Sequence, residues 1–63
     1  MYTLTISNYT SAQTFEFTNI REALNSFIER CDSFGYDYAE DNNGNFTAGG
    51  FGHSHEITLT SNF

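Results

Sequence analysis

The chain has 63 residues, with eight Asp and Glu against two Arg and a formal net charge of -6. That length allows one domain, and a chain of this size buries only about 60% of the surface its unfolded form exposes. One Cys rules out an internal disulfide, and the lack of clustered Lys and Arg argues against phosphate-backbone binding and against anionic membrane surfaces.

Hydrophobic residues make up 38% of the chain, and seven Phe and four Tyr supply most of that bulk. This is enough aromatic content to fold and too much for a disordered segment. No long apolar run and no basic leader are present, so neither a membrane span nor a signal peptide is predicted, and a cytoplasmic location is expected.

Residues 2–7 alternate, with Tyr2, Leu4 and Ile6 inward and Thr3, Thr5 and Ser7 outward, the pattern of a half-buried strand. Residues 8–12 are turn-like. Residues 13–17 alternate again, with Phe15 and Phe17 inward and Thr14 and Glu16 outward, which predicts a first hairpin. A helix follows. Ile20, Ala23, Leu24, Phe27, Ile28, Cys31 and Phe34 make one continuous apolar stripe. Asn19 with Glu22 three residues on resembles a capping box, with Thr18 as the rival cap. Gly35 suits a left-handed C-cap with Tyr36 folding back behind it.

Residues 36–40 resume alternation, with Tyr36 and Tyr38 inward. Asn42-Asn43-Gly44 signals a turn. A two-residue loop would put Phe46 on the face opposite Tyr38. A three-residue loop over 42–44, with Gly44 left-handed, pairs Glu40 with Phe46 and keeps the aromatic rings together, so it is preferred. Strands are predicted over 45–51, ending in Gly49-Gly50-Phe51-Gly52, and over 54–60, with Ile57 and Leu59 inward. The order ββαβββ predicts an α+β fold: an antiparallel sheet of four to five strands with one amphipathic helix on one face. Phe51, out of phase with Phe46, is expected to project from the uncovered face. Together with Tyr9 and Phe63 it is a candidate aromatic anchor.

No catalytic constellation stands out, and the chain reads as a non-enzyme without a cofactor. His53 and His55 at i and i+2 could share a strand face, but zinc would need a third ligand such as Asp37, Glu40 or Glu56. No metal site is assigned. Local packing of the two imidazoles explains them as well. Cys31 falls on the apolar stripe, where a thiol behaves as a small hydrophobe. Counted from Asp41, the EF-hand positions for Gly and Glu hold Phe46 and Gly52, so the calcium-loop pattern fails. The glycine run lacks the Lys and the following helix of a phosphate loop and reads as a bulge or a close backbone approach.

The acidic run is the strongest functional candidate. Glu29, Asp32, Asp37, Glu40 and Asp41 stand close in sequence with only Arg30 among them. Acids near a helix C-terminus oppose its dipole at a cost of a few tenths of a kcal/mol. A merely solubilising surface would satisfy the charge, but such faces use Lys freely and this one has none. Ordered carboxylates can imitate a nucleic acid's phosphate row and occupy the basic groove of a partner. In size, charge and layout the chain resembles small acidic phage-encoded anti-defence inhibitors, including anti-CRISPR proteins. The resemblance implies a cytoplasmic inhibitor that binds a basic host nuclease or defence complex, with no direct nucleic-acid contact. Glu29, Asp32, Asp37, Glu40, Asp41 and Phe51 are its candidate contact residues. An antitoxin or immunity-type protein facing a basic toxin carries the same acidic face. A self-associating accessory protein, a homodimer through the open sheet face or an edge strand, is the third reading.

Overall fold

A computed structural model describes residues 1–41, 43–50 and 52–61. Its elements are β1 (Tyr2–Ser7), β2 (Ala12–Phe17), α1 (Ile20–Phe34), β3 (Tyr38–Glu40), β4 (Phe46–Gly49) and β5 (Glu56–Ser61). The strands form one antiparallel sheet in the order β2-β1-β5-β4-β3. This is the expected α+β fold with its helix packed on the sheet.

The first hairpin turns on Asn8. Its Oδ1 accepts from the Thr10 and Ser11 backbone N–H groups at 2.9 and 2.8 Å, the local bonding that makes Asn a turn residue. β1 then pairs on its other side with β5, placing Leu4 opposite Leu59 and Ile6 opposite Ile57. The first and last strands thus form the middle of the sheet. Their inward Leu4, Ile6, Ile57 and Leu59 make the floor of the core.

The helix leaves one edge strand, β2, and delivers the chain to the other, β3, so it must cross the sheet face. Asn19 caps it, accepting from the Arg21 and Glu22 N–H groups at 2.8 and 3.3 Å. Gly35, at φ 74°, closes it. The Tyr36 N–H reaches the Cys31 carbonyl and the Gly35 N–H reaches that of Asp32, the paired bonds of a Schellman end. Ala23, Phe27 and Cys31 are fully buried on the sheet. Phe27 meets Tyr38 edge-on at 5.5 Å and Phe46 at 5.8 Å. The stripe is exposed at its ends, Ile20 and Phe34, because a straight helix over a small twisted sheet touches it best in the middle.

Glu40 pairs with Phe46 and Gly44 has φ 80°, so the three-residue loop is the one formed. Several strands differ in extent from expectation. β3 begins at Tyr38, not 36, because the Schellman end takes the Tyr36 backbone. β4 stops at Gly49, where successive glycines with positive φ end the pairing. β5 begins only at Glu56, so His53 and His55 lie in the preceding loop. Phe15 and Tyr38 face the helix as expected but stay 37% and 46% exposed. They belong to the two edge strands, where the single helix covers least.

The uncovered face is threonine-rich. Thr14, Thr5, Thr58 and Thr47 are successive cross-strand partners over β2, β1, β5 and β4. β-branched hydroxyl residues suit such a half-wet pleated surface.

Candidate functional site

All five candidate acids are exposed, but the fold distributes them. Glu29 lines a groove between α1 and β2 together with Phe15, Phe17 and Arg30. Asp32 lies in the last turns of α1. Asp37 enters β3, Glu40 ends it and Asp41 follows. Since β2 and β3 are opposite edges, Asp37, Glu40 and Asp41 share one margin of the sheet and Glu29 belongs to the side facing the other. Phe51 and Phe63 lie outside the described residues.

Asp41 also has a local task. Its Oδ1 accepts from the Asn43 and Asn45 N–H groups at 2.8 and 3.0 Å, which organises the hairpin loop. An Asp opening an Asn- and Gly-rich turn is the signal for this bonding. Asn45 in turn accepts from the Ser61 N–H at 3.0 Å, tying the loop to β5. Asp32 sits beside a buried thiol. Burial, and then the Asp32 carboxylate, push the Cys31 pKa above its ordinary value, in keeping with its place in the buried core.

A second cluster forms at the opposite end of the sheet from the Asp41 loop. There the helix end meets the loop between β4 and β5. Phe34 stacks on Tyr36 at 5.3 Å and on His55 at 4.7 Å, and Tyr36 meets His53 at 4.5 Å. The Ser54 hydroxyl stands 3.2 Å from the Tyr36 hydroxyl and 2.9 Å from His55 Nδ1. The backbone folds back through Gly50, whose N–H donates to the His55 carbonyl at 3.0 Å. An open cavity of about 710 Å³ adjoins this loop, lined by Ser7, Asn8, Tyr9 and residues of the loop through Glu56. Tyr9, 91% exposed, stands at its rim.

A Ser–His hydrogen bond is one ingredient of nucleophilic catalysis, but the base must itself be oriented by a third group. Among the described residues no carboxylate bonds His55, and Tyr36 shares the Ser54 hydroxyl. No three His, Cys, Asp or Glu side chains of the described residues come together as metal ligands. The cluster fastens the loop to the helix end. The sequence points to the two histidines but not to their aromatic partners or the cavity, because Phe34 and Tyr36 at the helix end, and Ser7, Asn8 and Tyr9 at and beyond the end of β1, meet the His53–His55 loop only in the tertiary structure.

Comparison with protein-family models, characterised proteins and solved structures found no match. Among the described residues no helix is long and apolar enough to cross a membrane.

Proposed function

We propose that the chain is a non-enzymatic inhibitor that binds a basic, nucleic-acid-handling protein of a bacterial defence system in the cytoplasm. One observation carries this reading: Asp37, Glu40 and Asp41 stand exposed along the β3 margin, while Arg30 is drawn over the Phe15 ring on β2, 5.6 Å from its centroid. The β3 margin therefore carries a short row of three acids, Glu40 on the strand with Asp37 and Asp41 flanking it, and Arg30 is held toward the opposite edge. Such a row speeds encounter with a basic groove and sets its orientation. Apolar anchoring then falls to exposed rings such as Tyr9, since charge at a rim contributes more to rate and specificity than to affinity.

The test is binding to a panel of purified bacterial nucleases and effector complexes over a salt titration, with nuclease activity followed in parallel. The reading expects one basic partner to be bound and inhibited. Binding should weaken as salt rises and be lost in Asp37→Lys/Glu40→Lys. A bound nuclease that stays fully active, or equal affinity in the double variant, refutes it.

A further inference from the structure

We propose that β2 is a self-association edge: two copies pair β2 with β2, antiparallel about a two-fold axis, and merge their five-stranded sheets into one. The two margins of the sheet differ in how they are protected. β3 has three residues, with Asp37 before it and Glu40 and Asp41 at its end. Short, charged edges of this kind resist pairing with another chain. β2 has six residues, five of them exposed, with no Pro, no Lys and Glu16 as its only charge. It is the longer edge, and Glu16 is its single charged deterrent.

The backbone of β2 is set for a partner. The Asn8 N–H bonds the Ser11 carbonyl at 2.9 Å. Alternation from that pair directs the main-chain groups of Gln13, Phe15 and Phe17 to β1 and those of Ala12, Thr14 and Glu16 to the open edge. A second β2 fits this edge in a self-complementary register. Phe15 stands opposite its counterpart as a close, non-hydrogen-bonded pair, and Thr14 of each copy exchanges main-chain bonds with Glu16 of the other. Both helices then lie on one face. The half-exposed Phe15 rings cover each other, and within the paired strands Glu16 of each copy stands opposite Thr14 of the other, not opposite another acid.

A second copy meets less opposing charge at β2 than at β3. Arg30 lies over Phe15 and partly offsets Glu16 and Glu29 on the β2 side, whereas the β3 margin carries Asp37, Glu40 and Asp41. Pairing there puts the two β3 margins at the far ends of the joined sheet, beyond the range of about 10 Å over which salt leaves surface charges interacting. A chain this short also gains from sharing its surface with a partner.

Sedimentation equilibrium over a concentration series, with amide exchange followed by NMR, tests the assignment. Thr14→Pro removes an outward N–H and leaves the β1 ladder intact. Thr14→Lys adds the charge that natural edges use, and Ala39→Lys is the control on β3. The wild-type chain should form a dimer in which the Thr14 and Glu16 amides are protected. Both Thr14 variants should raise the dissociation constant by about tenfold or more with unchanged circular dichroism, and Ala39→Lys should not. If Thr14→Pro fails to fold, Thr14→Lys and the exchange data decide. A monomer up to about 1 mM, freely exchanging Thr14 and Glu16 amides in a dimer, or equal affinity in Thr14→Lys, overturns the proposal.

Discussion

The Tyr36 ring lies against the backbone of Gly49: a Cβ built on Gly49 would stand 2.9 Å from Tyr36 Cε2 and overlap the His55 carbonyl oxygen. Gly49 is also at φ 74°, where side chains are strained. The ring, the loop and the end of β4 therefore close on one another only if this residue is glycine. Gly44 has a similar φ, yet a Cβ there meets only Glu40 Oε2 at 3.9 Å. Gly44→Ala should cost about 1 kcal/mol from backbone strain. Gly49→Ala adds a steric clash and should cost at least about 2 kcal/mol more. Urea unfolding of the two variants compares them directly; equal losses would mean that the loop shifts freely and that the Tyr36 contact constrains nothing.

Asp41 separates charge from structure. Asp41→Asn keeps the Oδ1 that accepts from Asn43 and Asn45 and removes the charge. It should leave the melting temperature within a few degrees, about the effect of half a kcal/mol in a domain of this size, while weakening any basic partner. Asp41→Ala removes the acceptor as well and should destabilise by about 0.5–1.5 kcal/mol. Thermal melts that rank the two variants alike would remove the loop role.

The buried Cys31 thiol predicts a pH dependence. Its folded pKa is raised, first by burial and then by Asp32. Below the ordinary value of 9.0 the thiol is protonated in both states and its contribution to stability is complete. Above that pH the unfolded thiol ionises first, so stability falls as pH rises toward the folded pKa. The comparison is with Cys31→Ala, which should lose less stability than the wild type between neutral and strongly alkaline pH. Parallel pH profiles would show that the thiol ionises freely in the folded chain.

Phe27 is the keystone of the core, fully buried and in contact with Tyr38 and Phe46. Phe27→Ala should cost about 3–5 kcal/mol, comparable with the whole stability expected for a domain this short, about 3–9 kcal/mol. The variant should lose its cooperative thermal transition, whereas Phe27→Leu should retain one at lower temperature. A sharp transition in Phe27→Ala would place the weight of the core elsewhere.

Much of the fold was legible because local rules act on neighbouring residues. The helix stripe, the Asn19 cap, the Gly35 end and the three-residue loop each depend on contacts within a few positions, and each formed as the pattern required. Strand ends were less legible. β4 stops and β5 begins where Gly49 and Gly50 reverse the chain against His55, and the extent of a loop that closes on itself is not written in alternation.

The candidate site divides the same way. That the surface is acidic, that Cys31 is buried and that Thr lines the open face follow from the sequence alone, because composition and periodicity decide which side chains meet water. Which acids share a margin was decided only by the tertiary structure. β1 and β5 pair across nearly the whole length of the chain, and the helix must span from β2 to β3, so sequence neighbours Glu29 and Asp37 are carried toward different edges. The same pairing brings Tyr9 beside the His53–His55 loop and leaves β2 open while β3 is guarded by acid. Long-range strand order has this power because one choice of neighbours sets every edge and every face at once, and no local segment of the chain encodes that choice.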